Sequence, residues 1–319
     1  MKKTKRIGVV FNPAKNIRAL NKALEAFKNK GFELDIVESG SFDDVTIQAR
    51  KLTQNSSIEM LVIAGGDGTV LAGINGVISF EIPIGILPLG CSNDFAHSLG
   101  IHNIDDVINA IIKGKTKKVD LGEAAFIDSK GIDKKMYFCS TAGIGFISSI
   151  LKMENGPLIA LSKKLIKDAV WPLLAFYRAL FLRHSRAIIT INHIEVFSGK
   201  IALLEVSKVK KVGGILTAPD AELDNGSLDF YLFRQTNLFK LLYSIFVKAL
   251  SSTYRELEDV TYFSSGPTSS QDNPPIKNLH IKTEECMPFH LNGEYLGECS
   301  DVRFNICNTH RLNMLYHNE

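Results

Sequence analysis

Between Leu61 and Val77 the chain reads LVIAGGDGTVLAGINGV. Leu61, Val62 and Ile63 suit the end of a buried strand. Gly65, Gly66, Asp67, Gly68 and Thr69 follow, and a helix-like run begins at once. Glycines in such a turn let backbone N–H groups reach phosphate oxygens, and the helix N-terminus adds partial positive charge. Asp67 is the odd member, because a carboxylate repels phosphates unless a divalent cation stands between. The turn therefore points to a magnesium nucleotide rather than a dinucleotide coenzyme. The plain alternative is a glycine turn that only lets a strand meet a helix. A second stretch has the same form. Ile84 to Leu89 reads as a buried strand, and Gly90-Cys91-Ser92-Asn93-Asp94-Phe95-Ala96 follows, with Asp94 in the first turn of a helix start. Two such turns after nearby parallel strands would share one sheet edge, where open α/β sheets bind ligands.

The elements that must position these turns follow from periodicity. Ile7 to Phe11 reads as a first strand, ended by Asn12-Pro13. Ala19 to Lys30 is a helix closed by Gly31, Phe32 to Val37 a second strand, and Asp43 to Leu52 a second helix with Ser41 or Asp43 as N-cap. Ile104 to Lys113 is a further helix with Asp105 and Asp106 at its start. Alternating strands and helices predict an α/β domain with a doubly wound parallel sheet over residues 1–122. Beyond Gly122 the strands become short, alternating and β-branched. They predict a second, mainly antiparallel domain over residues 123–319, with a C-terminal tail that returns to the first. Two helices, Ile159 to Arg183 (broken at Pro172) and Leu238 to Ser251, and a loop from Ser264 to Asn278 interrupt it.

Composition narrows the function classes. The 319 residues suffice for two cores, and a formal net charge of +3 gives no basic footprint for nucleic acid. The five cysteines, 91, 139, 286, 299 and 307, form no C-x-x-C pair, so neither a zinc site nor a disulfide framework is indicated. That suits a reducing cytoplasm. The apolar run Ile7 to Phe11 is too short for a signal-peptide core, and no run reaches the ~18 apolar residues that span a bilayer.

GGDGT followed by PLGCSNDFA resembles the catalytic domain of diacylglycerol kinases and their bacterial lipid-kinase relatives; sphingosine kinases belong to the same group, and NAD kinases share GGDGT. Asn12-Pro13, Val119-Asp120-Leu121-Gly122, Gly213-Gly214, Ala218-Pro219-Asp220-Ala221 and Asn292-Gly293-Glu294 extend the resemblance along most of the chain. It implies a lipid kinase of two lobes, the second a β-sandwich, with ATP and Mg²⁺ between them and a lipid hydroxyl at a bilayer surface as acceptor. It implies nucleotide contacts from Asn12, Pro13, Ser39, Gly65, Gly66, Asp67, Gly68, Thr69, Cys91 and Ser92. It implies metal contacts among Asp67, Asp94, Asp120, Glu222, Asn225 and Ser227, and Glu294 as general base beside catalytic Asp67 and Asp94.

Five positions depart from the family pattern. Lys15-Asn16 replaces Ser-Gly, Leu71-Ala72 replaces Asn-Glu, and Gly90-Cys91 replaces Gly-Thr. Asp224-Asn225-Gly226 replaces Asp-Asp-Gly, and Asn292-Gly293-Glu294 replaces Asp-Gly-Glu. An amide at 225 removes the charge that the family places on a structural Mg²⁺. Weaker metal binding is expected, or water or one of Lys208, Lys210 and Lys211 in its place. The Ile159 to Arg183 segment mixes apolar bulk with Lys163, Lys164, Lys167, Arg178 and Arg183. It is expected to pack on the second domain with its charges in water, docking on an anionic bilayer being the alternative. Two rival functions remain. One is an NAD kinase-like enzyme, which Asn93-Asp94-Phe95-Ala96 and the second half of the chain oppose. The other is a non-catalytic nucleotide or lipid sensor, which the joint presence of Asp67, Asp94 and Glu294 opposes.

Overall fold

A computed structural model describes residues 5–14, 16–128, 131–154, 170–235, 240, 243, 259–266 and 274–317. The chain divides into two compact units, one of Met1–Leu121 with Cys307–Glu319 and one of Gly122–Ile306.

The first unit is built on parallel strands. β1 (Arg6–Phe11) lies between β2 (Glu33–Glu38) and β3 (Met60–Gly65), and β4 (Ile84–Pro88) pairs with β3. All six residues of β3 are buried, as a strand covered on both faces requires. The crossovers are helices with legible ends. In α1 (Ile17–Asn29) the Asn16 side chain caps the Ala19 N–H, and Leu20, Ala23 and Phe27 form the buried stripe. In α2 (Phe42–Gln54) the N-cap is Ser41, which accepts from the Asp44 N–H. α3 (Asp67–Val77) packs on α2, where a Cβ on Gly76 would come within 2.4 Å of the Thr46 carbonyl oxygen. Glycine there allows the close approach. Leu71 and Ala72 are wholly buried on α3, which accounts for apolar residues where the family pattern is polar. After the short α4 (Asp94–Ser98), α5 (Ile104–Lys113) opens with an Asn103–Asp106 capping box and packs on α1.

β5 (Thr116–Ile127) leads out of this unit, and the end of β15 (Glu294–Leu315) returns to it, with Met314 beside Ile84 in parallel.

The second unit is antiparallel. β6 (Asp133–Phe138) pairs with β5, and β7 (Thr141–Gly145) precedes α6 (Phe146–Glu154). α7 (Val170–Leu180) is followed by β8 (Ser185–Ile191) and β9 (Ile194–Ser207). α7 continues through Pro172 to Leu180, so the described helix is not ended at the proline. A small hairpin of β10 (Lys211–Val212) and β11 (Ile215–Leu216) comes next. β12 (Asp229–Arg234), β13 (Val260–Phe263) and β14 (Asn278–Leu291) complete the set. β7 and β8 lie end to end between the two long strands: β8 pairs the first halves of β9 and β14, and β7 their second halves.

Phe146 and Ile150 of α6 and Leu174 and Ala179 of α7 bury against Leu203, Tyr231, Phe233 and Tyr262. α7 thus packs on its unit as expected. Its outer side nonetheless shows Leu173, Phe176, Tyr177 and Leu180, with Phe181 just past its end, all about half exposed. Residues 155–169, which hold Lys163, Lys164 and Lys167, lie outside the described residues. So do all of the Leu238 to Ser251 helix except residues 240 and 243, and residues 267–273 of the expected loop.

Candidate active site

In the first unit the strands end in register. The Ser39 N–H donates to the Phe11 carbonyl at 2.9 Å, the Asn12 N–H to Ala64 at 3.2 Å and the Leu89 N–H to Gly65 at 2.9 Å. The ends of β2, β1, β3 and β4 therefore form one edge. β1 has β2 on one side and β3 on the other, so the chain reverses its winding direction here, the usual ligand position in open α/β sheets.

The two glycine turns interlock at this edge. A Cβ on Gly90 would stand 2.6 Å from the Gly66 Cα, and one on Gly65 would collide with the Thr69 side chain at 2.4 Å. Neither position admits a side chain without a shift. The second turn closes on itself: Asn93 Oδ1 accepts the Gly90 N–H at 3.0 Å and Asn93 Nδ2 donates to the Gly90 carbonyl at 2.8 Å. Asn93 holds a left-handed backbone, φ 50°, which asparagine tolerates better than most residues.

That conformation aims three backbone donors at Asp67. The backbone N–H groups of Phe95, Asn93 and Asp94 stand near enough to its carboxylate to lower its pKa. Burial raises the Asp67 pKa above the usual carboxylate value; the three N–H groups, led by Phe95, and the nearby His97 pull the other way. His97 stacks on His102 with ring centroids 5.1 Å apart, and its own pKa is lowered, first by burial and then by His102. No spacing in the sequence singles out His97. Asp94 is partly buried, and Cys91 and Ser92 are exposed beside it.

The other expected residues fall in three groups. Asn12 Oδ1 caps the Ala14 N–H at 2.9 Å, which shapes the turn through Pro13; Lys15 lies outside the described residues. Ser39 and Asp120 are engaged within the first unit. Ser39 is buried, and its hydroxyl donates to Asp44 at 2.7 Å. Asp120 is buried and receives Arg311 Nε at 2.7 Å, which ties β5 to the returning end of β15. Their polar atoms thus engage α2 and the returning strand.

The third group lies in the second unit. Glu294 heads β15, partly buried, after a tight turn in which Asn292 (φ 45°) and Gly293 (φ 79°) are left-handed. Asn292 explains its own departure from the family pattern. Its Oδ1 accepts the N–H groups of Ser140 (3.1 Å) and Cys139 (3.3 Å), and its Nδ2 donates to Cys139 Sγ at 3.2 Å, a bond that aspartate cannot make. Glu222 and Asp224 are exposed. Asn225 Oδ1 accepts both the Ser227 N–H and Lys208 Nζ, each at 3.1 Å, and Lys208 Nζ also donates to the Ser227 carbonyl at 2.7 Å. A lysine, one of the three expected, thus stands at the departed position, with Asn225 Oδ1 and the Ser227 carbonyl as its acceptors.

A buried pair escapes sequence reading altogether. His290 Nε2 lies 3.0 Å from Glu205 Oε1, both side chains being almost fully enclosed, and a Cβ on Gly143 between them would strike Glu205 Oε2.

Comparisons with known proteins agree with this geometry. Residues 6–124 match the model of the diacylglycerol kinase catalytic domain. A protein of Staphylococcus carnosus named diacylglycerol kinase is 26% identical over 305 residues, 92% of this chain and 90% of its own. One of that name from Bacillus subtilis is 24% identical over 303 residues, 92% of this chain and 91% of its own. The solved structure of a diacylglycerol kinase from Bacillus anthracis superposes with a TM-score of 0.69 at 20% identity, covering 99% of this chain and 98% of that one. An NAD kinase from Archaeoglobus fulgidus, solved with ATP, shares the fold more distantly, with a TM-score of 0.51 at 11% identity over 98% and 94% of the two chains. The first 124 residues therefore carry the match to the diacylglycerol kinase catalytic domain, and nearly the whole chain resembles the bacterial enzymes of that name.

Proposed function

We propose that this lipid kinase uses ATP and Mg²⁺ to phosphorylate a diacylglycerol-like lipid hydroxyl in phospholipid metabolism. The observation that carries the reading is the Asp67 carboxylate, faced by the N–H groups of residues 93–95 at the edge where the parallel strands end. Phosphoryl transfer depends on positioning and charge more than on covalent chemistry. A site that faces one carboxylate with backbone donors, one of them from Asp94, is suited to that work.

The glycines at 65, 66 and 68, with Thr69, would cradle phosphates, and Asn12, Pro13, Cys91 and Ser92 would line the nucleotide. Asp67 and Asp94 fit a magnesium ion, which is usually bound by one or two carboxylates together with substrate phosphates. When bound, the ion neutralises phosphate charge. The protein's own contribution is orientation, through the interlocked turns, and proton removal, for which Glu294 is the candidate base.

We read residues 1–122 as the doubly wound nucleotide domain and residues 123–319 as a sandwich-like lipid domain whose tail returns. The pairwise contacts of α1 with α5 and α2 with α3 support the first assignment. The half-exposed apolar row on α7, flanked by Arg183 and Arg186, supports peripheral approach to a bilayer. The five free cysteines suit a cytoplasmic reaction.

Labelled ATP tests the reading. The acceptors are diacylglycerol, phosphatidylglycerol, a long-chain base and an undecaprenol-like alcohol, each in mixed micelles, with NAD alongside. Transfer to a micellar lipid, and a much lower rate on its short-chain soluble analogue, is the expected result. Transfer to NAD alone would move the chain to the other kinase class, and ATP binding without transfer to any acceptor would make it a sensor.

A further inference from the structure

We propose that Lys208 is the resident cation of the turn from residue 224 to residue 229, standing where the resemblance implies a magnesium ion, so that the second unit needs no divalent metal to hold its shape. Lys208 follows the last residue of β9 and exposes none of its surface. Its backbone N–H donates to the Ser140 carbonyl at 2.7 Å, which fixes where the side chain starts. The ammonium then reaches Ser227 O at 2.7 Å and Asn225 Oδ1 at 3.1 Å.

These lengths are those of ammonium hydrogen bonds, and both acceptors are neutral carbonyl oxygens. Magnesium asks for about six oxygens at ~2.0–2.1 Å and favours carboxylates. The turn does not supply them. Glu222 and Asp224 are exposed, and the Ser227 hydroxyl accepts the Ile276 N–H at 2.9 Å. Among the described residues no group of three or more His, Cys, Asp or Glu is placed to hold a metal ion. The residues at this turn therefore fit an ammonium and do not fit the metal.

A buried lysine stays charged only where acceptors and opposite charge surround it. Here two carbonyl oxygens accept from it, and the fully buried Asp229 on β12 is close enough to feel its charge. Tyr262 Oη donates to Asp229 Oδ1 at 3.3 Å from β13. One lysine thus joins the end of β9 to the turn and to β12. The amide at 225 belongs to the same exchange: with an internal cation present, a neutral oxygen suffices where a metal would need a charged one.

The test uses the full-length protein without nucleotide, melted in excess Mg²⁺ and in EDTA. Wild type and Asn225→Gly are expected to show the same difference between the two conditions, because any magnesium bound at Asp67 and Asp94 is common to both and none stands at this turn. Asn225→Asp alone should gain no magnesium response, because the new carboxylate pairs with Lys208. Lys208→Met should melt about 5–10 °C lower, the loss expected when a buried charge network loses one partner. Lys208→Met combined with Asn225→Asp should recover part of that loss in Mg²⁺ and not in EDTA. Wild-type melting that rises with Mg²⁺, with the rise abolished by Asn225→Gly, would overturn the proposal. So would Lys208→Met melting where wild type does. Every arm reads stability, so the outcome is independent of whether the chain proves to be a lipid kinase.

Discussion

Asp67 and Lys208 are both charges enclosed by turns, and the two units stabilise them by opposite means. In the first unit, backbone N–H groups of residues 93–95 converge on a carboxylate. In the second, carbonyl oxygens of residues 225 and 227 converge on an ammonium. The Asp67 turn stands at a strand edge where a ligand can arrive, and burial raises its pKa, so its charged form is held at a cost that a cation would relieve. The Lys208 turn is closed, with its charge already satisfied. One unit keeps a carboxylate in waiting; the other has exchanged carboxylates for amides.

The sharpest way to break the comparison is to remove the carboxylates that it assigns to chemistry. Asp67→Ala and Glu294→Gln are each expected to reduce turnover by ~10²–10⁴-fold, with circular dichroism and melting showing an intact fold. Wild-type rates in Glu294→Gln would remove that residue from the reaction.

Gly90→Ala attacks the interlock instead. Its new Cβ would stand 2.6 Å from the Gly66 Cα and 2.8 Å from Asn93 Oδ1, so the two turns must part. A loss of about 1–3 kcal/mol in denaturant unfolding is expected, together with a raised KM for ATP. Normal nucleotide affinity would mean that the contact between the turns is incidental.

How far the sequence revealed all this depends on distance along the chain. The glycine turns, the helix cap at Ser41 and the alternation of strand and helix are local, and each is legible from a few neighbours. The partners of Asp67 are not, because they arrive 26 to 28 residues later and act through backbone groups that carry no residue identity. Lys208 stood among three candidate lysines, and only the fold selects the one that enters the turn 17 residues on. Asp120 and Ser39 matched a pattern by position, yet their polar atoms serve Arg311 and Asp44. The Glu205–His290 pair had no sequence signature, since only strand pairing places those residues on either side of Gly143.

A milder substitution sharpens the reading of Asp67. Because its pKa is raised in the fold, the folded state favours the protonated form more than the unfolded chain does. Stability from this group is therefore fully present below the unfolded value and is lost as pH rises through the folded one. Asp67→Asn removes that titration. The variant should melt above wild type at pH 7 without nucleotide, and the gap should close near pH 3, where both side chains are neutral. Turnover should fall at the same time, the trade expected of a functional carboxylate. A gap that widens in acid would reverse the sign assigned here.

Asn292 offers the smallest and most discriminating change. Like Asn225 it is an amide where the family pattern has aspartate, but backbone N–H groups rather than a lysine serve its oxygen. Asn292→Asp keeps an acceptor for the Cys139 and Ser140 N–H groups, which favour a charged oxygen. It loses the donation to Cys139 Sγ, a weak bond to sulfur, and buries a charge at a site only 4% exposed. These effects oppose one another, so a net loss of about 1 kcal/mol or less is expected. Asn292→Gly accepts the φ of 45° without strain but leaves both N–H groups without the amide oxygen, and should cost more, about 2 kcal/mol. The ordering is the test. If aspartate destabilises as much as glycine, the amide donor rather than the oxygen holds this turn. Position 292 would then resemble the Lys208 turn, where an amide stands in place of a carboxylate, more than the Asp67 turn, where backbone donors face one.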